Sequence, residues 1–204
     1  MSLNTYQNIV QRRNQNITFV IASGNDGVRL RSMAVSVNAY QRMKNVILVG
    51  AVGRTKKLFP WSNRPGEGCA YLNGTCNPKN KYKYFTVVAP GGPIYAGLGN
   101  GGYGSAWGTS MAAPHVTGVV ALLQGYWPVL KSRAGSVTNI IFHTAQDLGK
   151  KGVDPVYGWG LVRADRALGP LGKKYVGKNN KVYALSASRL KVSPALSALT
   201  TQSV

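Results

Sequence analysis

Gly108-Thr109-Ser110-Met111-Ala112-Ala113-Pro114-His115-Val116-Thr117-Gly118-Val119-Val120-Ala121-Leu122-Leu123 is the stretch on which the reading of this chain turns. It reads as a helix that is apolar almost all round, the pattern of a helix buried in a core rather than laid on a surface. Thr109 or Ser110 suits the N-cap, because a hydroxyl can accept from the free N–H groups of a first turn. Pro114 fits only near that start. Gly108 lets the backbone approach another segment closely. A hydroxyl would thus stand at the positive end of a buried helix, where developing negative charge is stabilised. An ordinary capping serine on a core helix is the plainer alternative.

Working back from that helix, Tyr103 to Trp107 reads as extended chain and Ile94 to Leu98 as a short strand. Gly97, Gly99 and Gly102 satisfy G-x-G-x-x-G, but no helix opens directly after them, so a dinucleotide site is rejected. Phe85 to Ala89 reads as a strand ended by Pro90-Gly91-Gly92-Pro93. Val46 to Val52 and Ile17 to Ala22 are continuous apolar runs, as in strands buried on both faces. Residues 3–14 carry Leu3, Tyr6, Ile9 and Val10 at helical spacing. Helix, buried strand, mixed segment and second buried strand make the pattern of a parallel α/β sheet. Residues 28–45 read as a loop with a helical piece, and residues 53–84 as a long polar connection. Beyond Pro128 the pattern predicts a helix from about Arg133 to Thr144, with Val137, Ile140, Ile141 and Thr144 inward, then a short helix around Ala164 to Leu168. Residues 171–204 hold six basic residues and no acid, and read as a tail or linker.

The 204 residues suffice for one domain with a core. Twenty-five basic against 5 acidic residues give a net charge of +20, which favours an anionic partner. The basic residues are scattered and no aromatic RNA-binding signature accompanies them, so nucleic acid is a disfavoured partner. No apolar run is long enough to span a membrane, and no signal peptide is present in these residues. Cys69 and Cys76 lie close together in the polar connection. They can staple a loop in an oxidising compartment or remain two thiols, and they make a poor zinc site without a nearby histidine.

Two motifs carry a resemblance. Residues 108–118, G-T-S-M-A-A-P-H-V-T-G, resemble the nucleophile motif of the subtilisin-like serine proteases, the subtilases. Upstream, Phe19-Val20-Ile21-Ala22-Ser23-Gly24-Asn25-Asp26-Gly27 resembles that family's apolar strand ending in Ala-x-Gly-Asn-x-Gly. Both occur in the family order, and Gly158-Trp159-Gly160-Leu161-Val162 with the helix after it resembles the ending of subtilase domains. The resemblance covers roughly residues 3–170, so that 1–170 reads as the C-terminal part of a subtilase catalytic domain: α/β, a mostly parallel sheet around the buried serine helix.

The resemblance implies peptide-bond hydrolysis by acyl transfer through Ser110, with the Asn25 side chain and the Ser110 N–H as oxyanion donors. It implies that Ala22, Ser23 and Gly24 line the pocket for the substrate residue before the scissile bond. It implies no cofactor and no metal at the catalytic site, and leaves calcium open. Some exported autotransporter subtilases carry a cysteine pair between an S-N-R and an A-P-G segment, as Ser62-Asn63-Arg64 and Ala89-Pro90-Gly91 bracket Cys69 and Cys76 here. That implies a Cys69–Cys76 disulfide and an exported parent protein.

The catalytic constellation is incomplete in these residues. A serine needs a base, and the base an orienting acid, in the subtilisin chain order Asp, His, Ser. No histidine precedes His115 and no acid precedes Asp26. His115 is five residues past Ser110 on the same helix, about 500° of turn and 7.5 Å of rise away, so the two side chains diverge. His143 reads as packed or exposed, and Asp147, Asp154 and Asp165 as capping residues. The expectation is a chain lacking the catalytic Asp and His and inactive alone, whose missing half is a partner in cis or in trans. The rival readings are a silent basic fragment on nucleic acid or an anionic surface, and a fragment that completes a protease in trans.

Overall fold

In the computed structural model of the chain, residues 16–41, 43–97, 99 and 101–169 are described. Residues 3–14, read above as a helix, and the tail 171–204 lie outside them. The central sheet has three parallel strands in the order β1-β3-β5: β1 (Phe19–Ala22), β3 (Val46–Val52) and β5 (Thr86–Pro90). The register pairs Phe19 with Val46 and Ala22 with Val49, then Leu48 with Thr86 and Ala51 with Ala89.

Seven consecutive apolar or small residues make β3, and all seven are buried. Its alternating side chains serve two cores. Ile47, Val49 and Ala51 face one, with Val87 and Ala89 of β5. Val46 and Leu48 face the other, with Ile21, Val35, Ala39, Met43, Ala70, Tyr82 and Phe85. Each fully buried Val, Leu or Ile contributes about 1.5–3 kcal/mol, so the middle strand is the anchor of the fold.

Against the first core lies helix α2 (Thr109–Tyr126), with Ala112, Val116, Val119, Val120 and Leu123 buried at helical spacing. Helix α3 (Ala134–Thr144) adds Val137, Ile141 and Phe142. Shorter elements pack around these. Helix α1 (Val37–Gln41) packs through Ala39, a parallel pair joins β2 (Met33–Ala34) to β4 (Ala70–Tyr71), and helix α4 (Ala164–Ala167) closes on the first core. Strands β6 (Ile94–Gly97) and β7 (Tyr103–Ala106) form an antiparallel hairpin between β5 and α2. Cys69 and Cys76 are joined by a disulfide with Cα atoms 6.2 Å apart. It closes a loop whose tip turns at Asn73 and Gly74, both in the left-handed region.

Three expectations are corrected. β1 begins at Phe19 and is only partly buried, with Ile17 exposed. It is the edge of the three-stranded sheet, which an apolar run alone does not reveal. Neither Thr109 nor Ser110 is the N-cap of α2. Gly108 holds that position, no side chain caps it, and the Thr109 hydroxyl reaches across to the β1 loop instead. Helix α2 is buried along one face rather than all round: Ser110, His115, Gly118, Leu122 and Tyr126 are exposed. Because no described layer covers that outer face, α3 buries a larger share of its residues than α2.

Candidate active site

The loop after β1 and the start of α2 meet at Asn25 and Thr109. Asn25 Oδ1 accepts from Thr109 N at 2.9 Å and from Thr109 Oγ1 at 2.9 Å. The same hydroxyl accepts from Gly24 N at 3.2 Å. Thr109 is 1% exposed, so it acts as a rivet between two segments that each end in solvent. Both lone-pair directions of Oδ1 are taken by Thr109, which leaves Asn25 Nδ2 turned outward with no acceptor among the described residues.

Gly108 places the Ser110 hydroxyl. Its φ of 152° favours glycine, and a Cβ there would lie 2.8 Å from Ser110 Oγ, 3.5 Å from Asn25 Nδ2 and 3.6 Å from Ser110 N. A hydroxyl, a side-chain amide and a backbone N–H therefore surround one small space kept open by a missing methyl group. Ser110 N sits in the first turn of α2, where an N–H has no acceptor one turn back. Ser110 and Asn25 are both exposed, so this space opens to solvent. Two donors unclaimed among the described residues, set beside a hydroxyl oxygen, are the kind of arrangement that can stabilise a developing oxyanion.

Of the expected pocket wall, Ala22 and Gly24 are half-buried and Ser23 is buried. Ser23 N donates to Val49 O and its hydroxyl to Asn63 O, which fixes this end of β1. The disulfide brackets β4: Cys69 directly precedes that strand and Cys76 lies on the loop after it. No base faces Ser110 Oγ among the described residues. The His115 ring is exposed and its Nδ1 lies 2.8 Å from Met111 O on its own helix. His143 meets Trp159 edge-on at 4.8 Å on α3. Among the described residues no group of three His, Cys, Asp or Glu could hold a metal ion.

Two residues of this site escape a reading of the sequence. Thr109 has the composition of a cap, and nothing local says that its hydroxyl points elsewhere. Asn63 is visible only as part of a landmark, yet it bonds the loop that carries Asn25.

A family model described as the subtilase family matches residues 1–160. The chain belongs to the subtilase family. It is 37% identical over 119 residues to an extracellular serine protease of Serratia marcescens, covering 47% of this chain and 11% of that protein. It is 29% identical over 170 residues to the autotransporter lipoprotein NalP of Neisseria meningitidis, covering 76% of this chain and 14% of NalP. Among solved structures, the patellamide maturation protease PatA superposes with a TM-score of 0.58 at 24% identity, over 79% of this chain and 54% of that one. This subtilase chain thus spans about half of the PatA domain and a small part of the two longer relatives.

Proposed function

We propose that this chain carries the nucleophile and oxyanion-binding half of a serine endopeptidase site. The single observation behind this reading is the space beside Gly108, shared by Ser110 Oγ, Ser110 N and Asn25 Nδ2. In the reaction, Ser110 Oγ attacks the carbonyl carbon of a peptide bond. The carbonyl oxygen takes up negative charge and receives hydrogen bonds from Asn25 Nδ2 and Ser110 N. Ala22, Ser23 and Gly24 flank the residue on the acyl side. Collapse of the tetrahedral intermediate releases the amine, and water then hydrolyses the acyl-serine.

The proton of Ser110 needs an acceptor, and neither His115 nor His143 is placed to take it. The histidine and its carboxylate partner come from a further polypeptide segment, in cis or in trans. One feature supports a polypeptide neighbour: the exposed face of α2 with Leu122 and Tyr126. The Serratia relative's printed name and the disulfide support export to an oxidising compartment. Among the described residues no helix is long and apolar enough to cross a membrane.

The test is a serine-directed fluorophosphonate probe and a peptide substrate, applied to the 204-residue chain with and without a complementing segment bearing the histidine. No useful turnover is expected from the chain alone. Turnover dependent on Ser110 is expected once the segment is added, and rapid labelling of Ser110 without it overturns the proposal. Losing one oxyanion donor costs subtilisin itself about 10²–10³ in kcat. Asn25→Ala is expected to act in that range.

A second reading rests on charge. All five carboxylates have partners within the chain: Asp26 with Asn63, Glu67 with Lys81 and Lys83, Asp147 with Gly152 N, Asp154 with three backbone N–H groups, and Asp165 with Arg163. Among the described residues, Lys81, Lys83 and Arg163 are the basic residues paired with a carboxylate. Residues 84–130, which hold Thr109 and Ser110, contain no Asp, Glu, Lys or Arg, and the Asn25 side of the site carries the acidic Asp26. An anionic surface would therefore be met elsewhere on the molecule, and its binding would weaken steeply with salt.

A further inference from the structure

Asn63 is 6% exposed, and its side chain spends its whole hydrogen-bonding capacity on the loop that carries Asn25. Its Oδ1 accepts from Asp26 N at 3.0 Å and Val28 N at 3.1 Å. Its Nδ2 donates to Ser23 O at 3.0 Å and to Asp26 Oδ2 at 3.2 Å. The backbone adds two bonds, Asn63 N to Gly24 O at 2.9 Å and Ser23 Oγ to Asn63 O at 3.1 Å. Every one of these bonds goes to a residue flanking Asn25 and none to Asn25 itself. The loop needs such a template. Gly24 and Gly27 both adopt positive φ, and a Cβ on Gly24 would collide with the Asn63 amide. Asn25 itself is exposed, and among the described residues its side chain is anchored through Oδ1 to Thr109. Where its Nδ2 points therefore depends on where its backbone is held.

We propose that Asn63 is the positioning residue of the oxyanion donor: it holds the backbone on both sides of Asn25 so that Nδ2 faces the space over Ser110. The inference rests on the reading of Ser110 and Asn25 as nucleophile and oxyanion donor. Only an amide supplies two donors together with an acceptor that takes two bonds, so no other side chain of this size fills the role. An aspartate at 63 keeps both acceptor bonds but loses both donors, and it sets a second carboxylate against Asp26. Asp26 is the one ionisable group bonded to the Asn63 side chain, and Arg64 is its chain neighbour.

The experiment measures kcat, KM and the unfolding midpoint of the chain with its complementing segment. The variants are Asn63→Asp, Asn63→Ala, Ser62→Ala and the double variant Asn25→Ala with Asn63→Asp. A loop displaced by about an ångström costs on the order of 10²-fold in rate. Both Asn63 variants are expected to lose about that much kcat with KM nearly unchanged. In the Asn25→Ala background, Asn63→Asp is expected to add little further loss, because it acts through Asn25. The deficit of Asn63→Asp relative to wild type should shrink from pH 8 to pH 5, as the protonated carboxyl regains a donor toward Asp26. The deficit of Asn63→Ala should stay constant over that range. Ser62 is fully buried next door; its hydroxyl accepts from Ala51 N and donates to the backbone O of Asn63 at 3.3 Å, but it bonds no atom of the Asn63 side chain, so its loss leaves the amide's four bonds in place. Ser62→Ala should lower the midpoint and leave kcat unchanged. Full additivity in the double variant, or a kcat loss in Ser62→Ala matching that in Asn63→Ala, overturns the proposal.

If Asn63→Ala does not fold, Asn63→Asp carries the comparison. If the wild-type chain shows no Ser110-dependent turnover, it is the proposed function that fails. The positioning is then read from the Asn25 side-chain amide resonances, which must shift more in Asn63→Asp than in Ser62→Ala, and an equal shift overturns it.

Discussion

Replacing Thr109 by valine removes one hydroxyl and almost no volume, so it isolates the rivet between β1 and α2. In the native chain that hydroxyl donates to Asn25 Oδ1 at 2.9 Å and accepts from Gly24 N at 3.2 Å. With valine, Asn25 Oδ1 keeps its bond from Thr109's backbone and loses one hydrogen bond, about 0.5–1.5 kcal/mol. Gly24 N loses its acceptor in a half-buried setting, which costs about 1–3 kcal/mol. The sum is about 1.5–4.5 kcal/mol, centred on about 3 kcal/mol. Thr109→Ser is the control: it keeps the hydroxyl and removes a methyl group, at about 1 kcal/mol. Urea unfolding of the 204-residue chain, followed by tryptophan fluorescence, reads both. With a slope of about 2 kcal/mol/M, the valine variant should move the midpoint down by about 1–2 M and the serine variant by about 0.5 M, with slopes unchanged. A valine variant as stable as the serine variant would show that the hydroxyl's bonds contribute nothing, and the account of how Asn25 is held would fall.

Gly108→Ala should suppress Ser110 labelling in the complemented protein, because the new methyl occupies the space 2.8 Å from Ser110 Oγ. A fluorophosphonate time course at matched concentration measures it. Val120→Asp places an unpaired charge at a site 7% exposed and should prevent folding, read as loss of the cooperative transition in circular dichroism. The carboxyl of Glu67 is held at about 2 by hydrogen bonds from Lys81 and then Lys83, well below its ordinary 4.5. A depressed folded value means that Glu67 adds stability above pH 4.5, an increment that fades as pH falls toward 2. The midpoint gap between wild type and Glu67→Gln should therefore close over that window, and should be small throughout and reduced by salt, since the pair is on the surface. Reduction of the Cys69–Cys76 disulfide, with sequence separation 7, should lower stability by about 2 kcal/mol on the loop-closure estimate. Denaturation with and without dithiothreitol tests that figure.

What the residues reveal on their own follows from how local the cause is. β3 is legible because both of its faces are buried, so its whole length is apolar. Helix α3 is legible because Val137 and Ile141 mark its inward face. The limits of β1 are not, because an edge strand and a central one share the same apolar run. β2 and β4 are two residues each, too short for any periodicity to register. At the site, Ser110 and Asn25 stand out through long motifs, and the chain's geometry brings them to one space. The side chains that align them are silent in the sequence. Thr109 trades the cap of its own helix for a partner on another segment, and Asn63 spends its amide on a loop distant in the chain. Hydrogen bonds between distant segments leave no periodic trace.

The rivet between Thr109 and Asn25 joins residues 84 positions apart, and the Asn63 clamp on Ser23 joins residues 40 apart. Both close only after β1, β3 and β5 have aligned in parallel through their crossovers, the kind of non-local pairing that forms slowly. Helix α2, with its serine, is by contrast a local structure available early. A nascent or partly collapsed chain would thus display the hydroxyl before the amide that faces it. The Asn25–Thr109 pair then serves as a clock for the whole domain: a spectroscopic label that senses it reports the completion of folding, while one placed within α2 reports only its beginning.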